Sequence, residues 1–161
     1  MQAKLKPVGV ETLGVVNTTL ERARLYFKYR PTRMPLAADP EAGTHRAYGV
    51  PQVEVSDTSQ WPFRATPEDL GTVRINPSGE LPAALPAPEA NAELNRRDGF
   101  QPTEVDEQIA AAHGTLLSGY FLLDRDGIVR WAHIEAWERI TDLGKFPTEA
   151  DILAAARALP R

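Results

Sequence analysis

An α/β fold with a mixed sheet is predicted for this chain of 161 residues by three features. An apolar stretch over residues 8–16 runs into a capped amphipathic segment and then a second apolar stretch, the pattern of a strand–helix–strand unit. Later, an Asp-Gly pair separates two apolar runs, the strongest short-range hairpin signal. A final capped segment over 149–159 carries one apolar stripe suited to lie on a sheet. The order read from the chain is strand, helix, strand, helix, a long middle, hairpin, helix.

The first strand is read over 8–16, where Val8, Val10, Leu13, Val15 and Val16 are apolar with small glycines between them. Thr18 followed by Glu21 fits a capping box, in which hydroxyl and carboxylate each satisfy a backbone donor of the other. The helix it opens spans 20–30, with Leu20, Ala23, Arg24, Leu25 and Phe27 in helical spacing and Pro31 as the stop. Met34 to Ala38 supplies the second strand. Asp39-Pro40 turns the chain into a short helix over 41–48, with Gly49 as its C-terminal cap.

The middle of the chain reads as loop. Seven of the fourteen prolines fall at 51, 62, 67, 77, 82, 86 and 88, and Pro77-Ser78-Gly79 is a turn signal. Helices are expected over 89–97, stopped by Asp98-Gly99, and over 104–112, with Thr103 as N-cap and Asp106 at its third position. Glu104 to Glu107 is read as the acidic first turn of that helix. Residues 51–115 together are read as an insertion draped over the main sheet. Trp61, Phe63 and Phe100 within it indicate that it is packed down rather than disordered.

The hairpin is the clearest signal. Its first strand is expected over 119–124 and its tight turn at Arg125-Asp126-Gly127. The returning strand is expected over 128–134, with Ile128, Arg130, Ala132 and Ile134 on one face and Val129, Trp131 and His133 on the other. Thr148 caps the last helix, in which Ile152, Leu153, Ala156 and Leu159 form the apolar stripe.

Composition bounds function. The length suits one domain, residues 1–161, large enough to bury a core at 42% hydrophobic content. A net charge of −4 gives no basic footprint for nucleic acid, and no basic amphipathic helix marks a membrane surface. No run approaches the roughly 20 apolar residues of a membrane span, and no apolar stretch follows the lysines at the N-terminus. A cytoplasmic protein is the expectation. There is no cysteine, which excludes disulfides, thiolate metal sites and a cysteine nucleophile within these residues.

The segments Thr-Leu-Glu-Arg-Ala-Arg (19–24), Pro-Leu-Ala-Ala-Asp-Pro (35–40), His-Arg-Ala-Tyr-Gly-Val (45–50) and Phe-Leu-Leu-Asp-Arg-Asp-Gly-Ile-Val-Arg (121–130), in this element order, resemble the peroxiredoxin-like branch of the thioredoxin fold. This is the family of alkyl hydroperoxide reductases and thiol-specific antioxidants. The resemblance covers 8–50 and 117–159. It implies a thioredoxin-like mixed sheet flanked by helices, N-terminally incomplete, with the long proline-rich insertion ahead of the C-terminal hairpin. It also implies a family activity: thiol-dependent reduction of peroxides, or redox homeostasis, by an oxidoreductase whose thiol reductant this sequence does not identify.

In that family a central strand and a helix bearing the reactive cysteine precede the strand matched by residues 8–16. The arginine that opens the strand matching 119–124 is replaced here by Ser118. Neither the sulfur nor its cationic partner is carried over, so no catalytic residue is assigned and the chain alone is expected to be inactive. Without the central strand, two apolar edges would face a gap. Direct pairing, a strand from a partner, or a longer protein of which this is a truncated piece would each resolve it, and the last is the preferred expectation. The alternative to an antioxidant redoxin is a non-catalytic binding or dimerisation module that uses the open sheet edge to form a homodimer.

No other chemistry stands out. His45, His113 and His133 lack metal-ligand spacing, so neither metal nor cofactor is expected. His133 and Glu135 are read as a solvated strand face, Asp39 and Asp124 as turn or cap formers, and Tyr48 and Trp131 as core or rim packing. Arg125 and Arg130 are given no functional role.

Overall fold

The computed structural model describes residues 1–58, 63–76, 79–113 and 115–159, with 110, 113 and 115 described by their backbone alone. The chain begins with α1 (Gln2–Leu5) and a 3-10 turn (Lys6–Val8). There follow β1 (Gly14–Val16), α2 (Leu20–Tyr29), β2 (Leu36–Ala38), α3 (Gly43–Ala47), β3 (Gln52–Val55), β4 (Arg64–Ala65) and α4 (Pro67–Thr72). Next come β5 (Arg74–Ile75), β6 (Leu85–Pro86), α5 (Ala87–Asp98), α6 (Glu104–His113) and β7 (Thr115–Leu116). The chain then forms β8 (Gly119–Leu123), β9 (Val129–Ile134), a second 3-10 turn (Ile140–Asp142) and α7 (Glu149–Arg157). Trp61 and the Pro77-Ser78 part of the expected turn lie outside the described residues.

The strand–helix–strand unit is present: β1 and β2 pair in parallel, Gly14 opposite Leu36 and Val16 opposite Ala38, with α2 as the crossover. The first strand is shorter than the 8–16 expected. Pro7 helps to close a 3-10 turn through Val8, and Gly9 leaves it at φ +82°, so the chain becomes extended only at Gly14. The helix cap also moves by one residue. Thr18 donates its N–H to the Val16 carbonyl, which leaves Thr19 as the extended residue that caps α2 by accepting from the Arg22 N–H at 3.3 Å. The last helix is capped as expected, with Thr148 and Asp151 satisfying each other's backbone donors.

Two expectations need correction. The middle is not mostly loop: β3, β4, α4, β5 and β6 all lie between Pro51 and Pro88. Nor do the strands form one mixed sheet. Among the described residues they form four small sheets, β1–β2, β4–β3–β7, β5–β6 and β8–β9. The molecule is therefore mixed α/β with small sheets. The first edge of the expected gap is not closed by direct pairing, since β1 is hydrogen-bonded to β2 alone among the described strands.

A two-stranded hairpin is marginal by itself, and here packing on both faces supports it. On one face, Leu122 with Tyr120 and Trp131 meets Leu5 and Val10 from the N-terminal turn and Ile152, Leu153 and Ala156 from α7. On the other, Phe121 and Ile134 join Val50, Val53, Ala65 and Leu117, with Phe63, Leu70, Ile140 and Leu143 around them. The stretch from β7 into β8 connects the layers: Leu116 pairs with Gln52 of β3, and three residues later Gly119 pairs with Ile134 of β9. The start of the proline-rich middle thus contributes core residues to the hairpin.

Candidate functional site at the C-terminal hairpin

The hairpin brings together most of the polar and aromatic residues singled out from the sequence. Its turn is built by Asp124, whose carboxylate accepts from the Asp126 N–H at 3.0 Å and the Ile128 N–H at 2.9 Å and pairs with Arg130 at 2.6 Å. The Ile128 N–H and then the Arg130 guanidinium hold its carboxyl below the ordinary aspartate range. Gly127 supplies the positive φ of +78°. Asp124 is therefore a turn former, as expected, and Arg130 is its partner.

Asp39 has the same kind of role elsewhere. It accepts from the Gly43 N–H at 3.2 Å and the Thr44 N–H at 2.7 Å and caps α3. The Thr44 N–H is the main cause of its lowered pKa. Tyr48 sits on the rim, its ring 4.9 Å from that of Phe121, and Gly49 leaves α3 with φ +68°.

The reading of His133 and Glu135 as a solvated face is overturned. Glu135 is 7% exposed. Its carboxylate accepts from the Ser118 N–H at 2.9 Å and from the Gly144 N–H, while its own N–H donates to the Ser118 carbonyl at 2.9 Å. A carboxylate that accepts two backbone donors can be buried because its lone pairs are satisfied. It ties the start of β8 to the loop ahead of α7. Gly144 is required there: its φ is +79°, and a Cβ would come within 2.7 Å of the Ile75 side chain.

His133 stands beside this tie. Its ring stacks on Trp131 at 6.4 Å and 17°, and Tyr120 lies 6.3 Å away edge-on. Its Nε2 is enclosed without a hydrogen-bond partner among the described residues. Burial first, and then the Glu135 charge, pushes the Tyr120 hydroxyl above its usual pKa. No sequence signal marks Glu135 as buried, since its partners Ser118 and Gly144 come from separate stretches of chain.

The outer part of the hairpin is apolar and open. Leu123, Ile128 and Val129 are 39%, 50% and 43% exposed. Among the described residues, β8 and β9 pair only with each other, so each has an edge without a neighbouring strand. Chemically, the arrangement offers backbone donors and acceptors beside exposed apolar side chains, which is the equipment for strand addition. No group of three or more His, Asp or Glu that could hold a metal occurs among the described residues. No described helix is long and apolar enough to cross a membrane. Compared with known protein families, curated proteins and solved structures, the chain matches none.

Proposed function

We propose that this chain is a non-catalytic binding module on a mixed α/β scaffold whose sequence resembles the peroxiredoxin-like proteins, and that it self-associates through the open edge of the β8–β9 hairpin. The observation that carries this reading is the pairing of β8 and β9 only with each other among the described strands, with Leu123, Ile128 and Val129 exposed beside the turn. A second copy adding its own hairpin would satisfy the edge groups and cover those side chains, and two-fold assemblies are the commonest.

The absence of cysteine supports the non-catalytic part. Thiol-dependent peroxide reduction needs a thiolate to attack the peroxide oxygen, and this chain has no sulfur nucleophile of that kind. The antioxidant activity implied by the resemblance would then require residues beyond these 161. Peroxide consumption with a thiol reductant is expected to stay at the uncatalysed rate, and turnover above it would contradict the reading.

Self-association is tested by light scattering behind size exclusion. The expected mass is twice the 17.7 kDa of the chain, falling to one chain in Val129→Lys, which places a charge on the β9 edge. A wild-type protein that stays monomeric up to high micromolar concentration would overturn this proposal.

A further inference from the structure

We infer that the face of α2 carrying Arg22, Tyr26, Tyr29 and Arg30 is a docking site for an acidic peptide segment bearing an aromatic residue, and that residues 98–106 of this chain are its resident occupant. At 3.6 residues per turn, positions 22, 26 and 29 lie on one stripe of the helix, and Arg30, the residue that caps it, follows at its C-terminal end. Two arginines border that stripe and two tyrosines fill it.

The occupant matches each feature. Phe100 meets Tyr26 edge-on at 5.3 Å and Tyr29 at 5.8 Å, and the Arg22 guanidinium lies over its ring at 5.5 Å. Asp106 receives two donors from Arg22, one of them Nε at 2.9 Å. Asp98 receives two from Arg30, one of them Nη2 at 3.0 Å. Glu80 takes the remaining side of Arg30 with a further fork at 2.9 and 3.0 Å. Planar guanidinium forks of this kind read carboxylates specifically. Gly99, at φ +66°, ends α5 and turns Phe100 toward the tyrosines.

The occupant is held by contacts that another chain could replace. The Arg22–Asp106 pair is the more enclosed of the two, with the Arg22 side chain 12% exposed, while the Arg30 side chain is 27% exposed, so the Arg30 end is where salt screens the attachment first. Tyr29 remains 45% exposed, so the face is not sealed. A partner peptide with an aromatic residue flanked by carboxylates would meet the same two arginines and two tyrosines. The resident segment lowers the apparent affinity for such a partner by occupying the face. This site is separate from the hairpin edge, and neither proposal depends on the other.

The test is fluorescence anisotropy of a labelled peptide of residues 98–108, titrated with the full chain in three forms. Wild type is expected to bind weakly, because its own segment competes. Phe100→Ala/Asp106→Asn, which loosens the resident segment, is expected to bind at least tenfold more tightly at low salt and to lose that gain in high salt. Adding Arg22→Gln/Arg30→Gln to this variant is expected to abolish binding. Equal binding by wild type and the loosened variant, or binding that survives loss of both arginines, would overturn the inference. Asp98→Asn/Asp106→Asn keeps Phe100 and carries the same test if the first variant does not melt cooperatively.

Discussion

The hairpin region and the α5–α6 region are attached to the rest of the molecule by different forces. The hairpin lies between two clusters of buried apolar side chains, one centred on Leu122 and Ile152, the other on Leu117 and Val53. The α5–α6 region is fastened to α2 by Phe100 and by carboxylates on Arg22 and Arg30. Apolar burial is insensitive to moderate salt and to pH, whereas ion pairs respond to both. The contrast teaches that one part of this fold is set by burial, while in the other charges that solution conditions can weaken act alongside the packing of Phe100 and Ala90.

The largest effect should come from breaking the first attachment. Leu117 is 1% exposed and packs among Val50, Val53 and Ala65. Leu117→Ala is expected to cost about 2–5 kcal/mol through lost transfer energy and the cavity left behind. Urea unfolding followed by circular dichroism would read this as an earlier midpoint with an unchanged slope. A change below about 1 kcal/mol would mean that this cluster does not anchor the hairpin.

Next comes the tie at the hairpin base. Glu135→Ala strands the N–H groups of Ser118 and Gly144 that the carboxylate now accepts, and an unsatisfied buried donor costs about 1–3 kcal/mol. Thermal unfolding should move to lower temperature, and Glu135→Gln should recover part of the loss because its amide oxygen still accepts. Equal losses in the two variants would assign the effect to the carboxylate's charge or to the need for both of its oxygens, since Gln keeps the volume of Glu but can accept from only one of the two donors.

A smaller change sharpens the α2 side. Thr19→Ala removes the hydroxyl that accepts from the Arg22 N–H and is expected to cost about 1 kcal/mol, the usual value of an N-cap. Its effect should show first as faster amide exchange in the opening turn of α2, which also carries Arg22. Protection in that turn equal to wild type would show that the cap contributes nothing there.

The smallest effect on global stability is expected from Arg30→Gln, at most about 1 kcal/mol, because its ion pairs are partly exposed. Acid should loosen the same region. Burial pushes the Asp106 carboxyl up, but the Arg22 guanidinium and the Thr103 N–H and hydroxyl outweigh it and hold the pKa below its ordinary value. A group with a depressed folded pKa contributes fully above its unfolded value, near about 4, and loses that contribution as pH falls through the folded one. Exchange in α6 should therefore quicken below about pH 4 before the buried core of the hairpin responds; the Asp124 turn, whose carboxyl is held low in the same way, should loosen along with α6. A hairpin that opens first would reverse the assignment of forces to the two regions.

Much of the first region was legible in the sequence because local rules govern it. Asp126-Gly127 specifies the hairpin turn, Thr148 caps the last helix, and alternation puts Trp131 and His133 on one face of the returning strand, the face that meets α7. Helix α5 likewise ends where Asp98-Gly99 predicts. The rest depends on pairs far apart in the chain. β3 meets β7 across two residue pairs, Gln52 with Leu116 and Val53 with Thr115, too short a ladder to leave a period. Asp106 reads locally as the third residue of an acidic helix start, and it does accept from Thr103 at 2.7 Å, but it also reaches Arg22. Glu135 reads as a solvated carboxylate because nothing nearby shows that Ser118 and Gly144 will donate to it.

The contrast between the regions is tested most directly by native-state hydrogen exchange, resolved by residue, at low and high salt. Protection is expected to fall with salt in α5 and α6, while the amides of Leu122 and Trp131 keep theirs. Protection that falls equally in both regions, or that is unaffected by salt in α5 and α6, would contradict it.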